Sequence, residues 1–265
     1  MRVPLSGETC EGPLPSGGPL PSAGPLLSVI VPVYNEAATV DAVLQRVVET
    51  PYSKEVIVVD DGSTDGTADV LRRWSERPGV RVLRHETNRG KGAAIRTGLE
   101  QVRGRFVLVQ DADLEYDPQD YPRLVERLMA GAPVVYGSRY LGGRGPWTPH
   151  RLGVMLLNWC VRWWYGAEIT DEATCYKAFS AHVLRAMALE CQRFEFCPEV
   201  TAKALRMGLK IVEVPIRYRP RSRRQGKKLR FRDGIEAAKT LWRLRGWVPA
   251  VARGDWAGPP PHQPQ

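Results

Sequence analysis

Short β-branched runs at residues 28–33, 55–59, 80–84, 106–110 and 134–136 alternate with stretches of helical periodicity. Val40, Val43, Leu44, Val47 and Val48 recur at i, i+3, i+4, i+7 and i+8, and Val70, Leu71 and Trp74 repeat the pattern more briefly. Leu124, Val125, Leu128 and Met129 follow Asp117-Pro118, a capping residue with proline at the first helical position. Strands alternating with helices predict βαβ units, hence an α/β fold with a mainly parallel central sheet flanked by helices. Ligands of such sheets bind beyond the carboxyl ends of the strands, so the residues just after each run are the ones to inspect. After about residue 138 the pattern changes to a glycine-rich loop, an aromatic helix over 152–165, mixed segments and a final helix opened by Asp233-Gly234. No linker separates the two parts, which predicts one elaborated domain.

Composition narrows the class. A chain of 265 residues buries roughly three-quarters of its unfolded surface, so it folds without disulfide or metal staples. Its five cysteines are odd in number and form no C-x-x-C pair, which speaks for free thiols in a reducing compartment. The first 27 residues hold six prolines and five glycines and read as a disordered tail; residues 247–265 read as another. No leader or spanning segment is expected, since the most apolar stretch, 152–165, is short and carries Arg162. The net charge of +9 is local: residues 217–232 contain nine basic side chains and no acid, and the rest of the chain sums to zero. One basic strip on a neutral body points to a dedicated anionic partner.

Candidate chemistry sits at the strand ends. The first strand leads into Pro32-Val33-Tyr34-Asn35-Glu36 and the second into Asp60-Asp61-Gly62-Ser63, where a carboxylate can accept from ribose hydroxyls or base N–H groups. The fourth leads into Asp111-Ala112-Asp113-Leu114-Glu115. In an extended segment these three carboxylates share one side, and oxygen-only ligands select a hard ion, Mg²⁺ or Mn²⁺, that bridges substrate phosphates. Residues 88–94, Asn-Arg-Gly-Lys-Gly-Ala-Ala, open a helix whose start favours an anion, with Arg89 and Lys91 adding charge. P-loop and dinucleotide fingerprints are missing, which excludes those NTPase and dehydrogenase readings. His85, His150 and His182 have no paired carboxylate motif and read as structural.

Taken in order, these pieces resemble the family 2 glycosyltransferases, with a single GT-A-type nucleotide-sugar-binding domain. The likeness runs from about residue 28 to 244. Within that family the second half resembles the dolichyl-phosphate mannose and glucose synthases, through Tyr136-Gly137-Ser138-Arg139-Tyr140, Thr170-Asp171, Cys175-Tyr176-Lys177, Phe196-Cys197-Pro198-Glu199, Tyr218, Arg221, Gly226-Lys227-Lys228 and Asp233-Gly234. The resemblance implies a domain over 28–246, with a donor half at 28–137 and an acceptor half at 138–246. Pro32, Tyr34, Glu36 and Asp60, with Lys91 and Asp111, would hold the donor. Asp111, Asp113 and Glu115 would hold the metal. Ser138, Arg139, Arg221, Lys227 and Lys228 would grip an acceptor phosphate, and Asp111, Asp113 and Arg139 would carry the catalysis. Two departures stand out: Gln225 replaces a frequent Glu, and the membrane helices that many relatives carry are missing.

The implied reaction is inverting transfer of mannose or glucose from GDP-mannose or UDP-glucose to a polyprenyl phosphate, by an enzyme peripherally held at the cytoplasmic face of a membrane. Trp159, Trp163, Trp164 and Tyr165 with Arg151 and Arg162 suit a helix lying at headgroup depth, and suit a core helix equally well. Two alternatives remain: the same fold acting on a soluble acceptor, and a catalytically silent domain binding nucleic acid through the basic strip. The strip has few interleaved aromatics and the acidic cluster would repel a duplex, so no nucleic acid is expected.

Overall fold

The computed structural model describes residues 24–141, 149–221 and 231–249. Among them, seven strands form one sheet: β1 (Leu27–Val33), β2 (Lys54–Asp60), β3 (Val80–Arg84), β4 (Phe106–Val109), β5 (Val134–Ser138), β6 (Lys177–Ser180) and β7 (Ile211–Pro215). Their order is β3-β2-β1-β4-β6-β5-β7, and every pairing is parallel except those of β6, which runs antiparallel between β4 and β5. The helices are α1 (Val40–Val48), α2 (Thr67–Ser75), α3 (Lys91–Glu100), α4 (Tyr121–Met129), α5 (Pro149–Tyr165), α6 (Ala181–Ala186), α7 (Phe196–Arg206) and α8 (Phe231–Arg243).

Alternation along the strands divides the core in two. Ile30, Ile57, Val59, Val107 and Val109 pack on one face with α3, α5, α6, α7 and α8. Val29, Val31, Val56, Val58 and Leu108 pack on the other with α1, α2 and α4. Both faces are covered, so the strands read as continuous apolar runs and not as an apolar/polar alternation.

The five expected strands lie where periodicity put them, within two residues at each end. The final helix begins at Phe231, so Asp233 and Gly234 lie inside its first turn. β6 and β7 were hidden among the mixed segments. Both are short, and β6 finds its neighbours only after the 38 residues between β5 and β6 have folded back. This return completes the sheet from the second half of the sequence.

Parallel register sets the site. Val33 lies opposite Asp60, and Leu27 lies opposite both Lys54 and Phe106, so the loops after β1, β2 and β4 emerge side by side. β1 leads to β2 on one flank and abuts β4 on the other, leaving a crevice at its carboxyl end. The turn after β2 needs Gly62: its φ is +74°, and a Cβ there would come within 2.7 Å of the Thr87 backbone. Among the described residues no helix is long and apolar enough to cross a membrane.

Candidate active site

The loops at that crevice are stitched together by short polar side chains. Asn35 N donates to Ser63 Oγ (2.9 Å), Thr64 N to Asn35 Oδ1 (2.8 Å) and Glu36 N to Thr67 Oγ1 (3.0 Å). The Thr39 hydroxyl donates to the Ala112 carbonyl (2.7 Å), tying the start of α1 to the acidic loop after β4. These bonds explain why the region is rich in Ser, Thr, Asn and Asp: each satisfies a backbone group that the sheet no longer pairs.

A cavity of about 480 Å³ opens here, bounded by Pro32, Tyr34 and Glu36 after β1, Asp61 after β2, Asn88 and Lys91 before and in α3, and Asp111, Asp113 and Glu115 after β4. Arg139, Tyr218 and Arg221, from the second half of the sequence, complete the lining. The two halves of the sequence therefore share one chamber.

The acidic loop differs from the extended segment expected. Residues 111–114 form a turn, with Leu114 at φ +62°, and Asp113 Oδ1 accepts from Glu115 N (3.1 Å). All three carboxylates still line the cavity, and Asp111 and Glu115 lie near enough to Asp113 to act on its charge, but the turn does not bring the three to one point. Lys91 Nζ lies 2.5 Å from Asp111 Oδ1. Arg221 spans Glu36 (Nη1 to Oε2, 3.0 Å) and Asp113 (Nη2 to Oδ2, 2.8 Å), while its backbone N–H donates to Glu115 Oε1 (2.8 Å). Tyr218 adds a hydroxyl bond to Glu115 Oε2 (2.8 Å).

Among the described residues, Lys91 and Arg221 pair with Glu36, Asp111, Asp113 and Glu115, and the crowding of carboxylates shows in Asp113. Burial, with Asp111 and Glu115 beside it, pushes its carboxyl up to about 7, against the lowering pull of Arg221. Burial works against the charge on Lys91, yet the Asp111 carboxylate beside it, with the Cys175 and Cys197 thiols, outweighs it and holds the ammonium well above its usual range. Oxygen donors and a buried carboxyl crowded by two others fit a hard divalent cation. Among the described residues no three His, Cys, Asp or Glu side chains are already gathered to ligate one. Lys91 and Arg221 hold the carboxylates in that role.

Other sequence candidates fall differently. Asp60 is buried away from the cavity lining: Oδ1 accepts from Ser63 N (3.0 Å), and Oδ2 has no hydrogen-bond partner, with Arg84 Nε 3.5 Å away. Its neighbour Asp61, on the opposite side of the strand end, lines the cavity instead. Asp61 accepts from Arg89 N (2.9 Å), Gly90 N (2.8 Å) and His85 Nδ1 (2.7 Å), and His85 Nε2 lies 3.0 Å from Thr97 Oγ1. His85 therefore has the carboxylate partner that no local motif announced, because the pairing spans 24 residues and depends on β2–β3 register. Replacing His85 with Ala strips a buried carboxylate of one donor. The expected result is a loss of about 1–3 kcal/mol of stability, with faster hydrogen exchange at the Arg89 and Gly90 amides; unchanged exchange there would refute the linkage.

Two amides at the start of α3 are turned to another segment and not to the cavity. Gly92 N and Ala93 N donate to the carbonyls of Arg193 and Gln192 (2.9 Å each), and Gly90, at φ +98°, lets that segment approach. Positive charge at this wall comes from the Lys91 side chain, together with Arg193, which sequence reasoning missed along with Phe194. Nothing in the local pattern at 191–195 signals that this segment folds onto α3.

Arg139 lines the cavity, but its Nε and Nη2 are committed to Asp171 Oδ2 and Oδ1 (2.7 Å each), fully inside the protein. Ser138 stays behind the wall. Its Oγ exchanges a hydrogen bond with Thr170 (2.6 Å) and accepts from Tyr140 N and Leu141 N, bracing the turn that carries Arg139. Glu199 is likewise structural, paired with Lys203 (2.6 Å) and accepting from Glu190 N and Cys191 N. Lys227, Lys228 and His150 lie outside the side chains described.

An open, mostly parallel sheet whose switch point gathers paired acidic and basic side chains in one cavity is a layout that suits a GT-A nucleotide-sugar glycosyltransferase. The chain belongs to glycosyl transferase family 2, whose model matches residues 28–187. It is 36% identical over 203 residues to the undecaprenyl-phosphate mannosyltransferase of Micrococcus luteus, covering 71% of this chain and 82% of that protein. It is 32% identical over 208 residues to the undecaprenyl-phosphate 4-deoxy-4-formamido-L-arabinose transferase of Edwardsiella ictaluri, covering 76% of this chain and 62% of that protein. Among solved structures, glucosyl-3-phosphoglycerate synthase from Mycobacterium tuberculosis, in complex with Mn²⁺, uridine diphosphate and phosphoglyceric acid, superposes with a TM-score of 0.64 at 23% identity, over 86% of this chain and 80% of that one. That last likeness is one of fold.

Proposed function

We propose that this protein transfers a hexose, mannose or glucose, with inversion from a GDP- or UDP-sugar to a polyprenyl phosphate at the cytoplasmic face of a membrane. The observation that carries the reading is the single cavity in which Glu36, Asp111, Asp113 and Glu115 meet Lys91, Arg139 and Arg221. The names of the curated relatives, both transferases to undecaprenyl phosphate, support the acceptor class.

Pro32, Tyr34, Glu36 and Asp61 bound the nucleoside end in this reading, with Lys91 beside the diphosphate. Asp60 acts through the Ser63 turn and not by contact. A divalent ion, Mg²⁺ or Mn²⁺, held by Asp111 and Asp113 with Glu115, would neutralise the departing diphosphate. The acceptor phosphate is already an anion at neutral pH, so it needs approach and not deprotonation. Arg221 and Arg139 offset its repulsion from the donor and hold one oxygen in line with the anomeric carbon. Arg221 changes partners for this: its carboxylate contacts must loosen as the donor enters. Asp171 keeps the Arg139 fork fixed meanwhile. We also assign donor and acceptor roles to 28–137 and 138–246 within one domain.

The test is sugar transfer from GDP-mannose and UDP-glucose to a short-chain prenyl phosphate with Mn²⁺ present. Expected is a β-linked product whose formation EDTA abolishes. Full activity in EDTA would sink the metal assignment, and transfer only to a water-soluble phosphorylated or sugar acceptor would sink the lipid one.

A further inference from the structure

The structure resolves the two equal readings of the aromatic helix by splitting α5 into two faces. Val154, Leu157, Cys160 and Val161 are buried in the core, whereas Leu152, Met155, Leu156, Trp159 and Trp163 form an exposed stripe at i, i+3, i+4, i+7 and i+11. The Trp159 and Trp163 rings stack at 5.8 Å on that outer face. α8 packs alongside, through Trp164 against Trp242 (5.3 Å) and the Tyr165 hydroxyl donating to the Leu241 carbonyl (2.6 Å). It adds Ile235 and Trp242 to the exposed apolar set, whose members range from 44% exposed at Ile235 to 73% at Trp163.

We infer that this α5–α8 face is a membrane-docking surface that takes a lipid bilayer carrying anionic headgroups and sets the cavity mouth at headgroup level. The inference rests on the acceptor reading above for its purpose, though not for its observations. Charge selects the occupant. The exposed side chains of α8 include Arg232, Lys239 and Arg243 against Glu236 alone. A second copy meeting this face by two-fold symmetry would bring like charges together. An anionic surface answers the basic flank while accepting tryptophan, leucine and methionine at the acyl boundary. Position selects it too. Near the start of α5, Arg151 lies over the Tyr140 ring (5.1 Å), which Arg139 of the cavity wall approaches from its own side (5.3 Å). Asp233, in the first turn of α8, lines the cavity itself. α8 therefore starts at the chamber, and α5 starts one side chain away from its Arg139, through Tyr140. A lipid phosphate could enter from a bilayer lying on this face without leaving the headgroup layer.

The experiment uses the full chain with vesicles of phosphatidylcholine alone and of equal parts phosphatidylcholine and phosphatidylglycerol. Expected is flotation with the mixed vesicles, tryptophan quenching by brominated lipid, and a loss of vesicle affinity of roughly tenfold or more in Trp159→Ser/Trp163→Ser. Transfer to long-chain polyprenyl phosphate embedded in those vesicles falls in parallel, while transfer to a water-soluble short-chain prenyl phosphate stays at the parent level. Unchanged vesicle binding in the double variant overturns the docking face and leaves the acceptor reading standing. Tryptophan-dependent vesicle binding by a protein that transfers to no prenyl phosphate does the reverse. A dimer in light scattering that the double variant dissolves, without vesicle binding by the parent, assigns the face to a second copy and overturns the inference.

Discussion

Asp113→Ala is expected to lower sugar transfer by roughly a thousand-fold, the size of effect seen when charge stabilisation of a leaving group is lost. Unfolding would not be the cause. The turn is anchored by other groups: Thr39 holds Ala112, and Tyr218 and the Arg221 backbone hold Glu115. The pH dependence separates the two explanations. With its carboxyl pushed up to about 7 in the fold and near 3.8 when unfolded, Asp113 contributes stability below about pH 4 that is lost as pH rises through about 7. The parent's stability relative to the alanine variant should therefore fall between pH 4 and pH 7, and at pH 8 the variant should melt at or above the parent. A variant that melts well below the parent at pH 8 would show that the carboxylate is structural. Activity unaffected by the substitution would remove Asp113 from the reaction.

Arg139→Ala should produce the largest loss of stability, about 3–5 kcal/mol, because it leaves Asp171 as an uncompensated charge in the interior. Asp171 accepts three hydrogen bonds from Arg139, counting the backbone N–H at 2.9 Å, and its own N–H donates to Glu213 (3.1 Å). Urea denaturation reads the loss, and the coupled change Arg139→Met with Asp171→Asn should restore a large part of it. A single variant as stable as the parent would contradict the buried pair. The restored double variant should remain inactive if the guanidinium also faces the acceptor, which separates the bracing role from the binding one.

The particular elements show how far local pattern reaches. The strand ends at residues 32–36, 60–61 and 111–115 were legible because chain direction in a parallel sheet places its loops, and parallel pairing follows from strands alternating with helices. That Asp61 and not Asp60 borders the cavity was not legible. Successive residues point to opposite sides, and the phase at a strand's last residue depends on how the following turn leaves the sheet. At the start of α3, where an anion was expected, two of the amides are taken by the carbonyls of Gln192 and Arg193, a contact between segments a hundred residues apart. The three carboxylates border one cavity, but on a turn and not an extended run, and they are not gathered at one point.

Sequence alone determined the alternating architecture, the position of the acidic loop and the basic character of residues 217–232, since each follows from short-range periodicity and charge order. Only tertiary structure decided that β6 would invert and join the two halves, that Arg221 would reach Glu36 across 185 residues, and that Arg139 would spend its fork on Asp171. The physical reason is the same in each case. Periodicity is set by the local geometry of the backbone, whereas the partner of a buried charge is set by whichever segments the core brings within about 3 Å, and that distance is written nowhere along the chain.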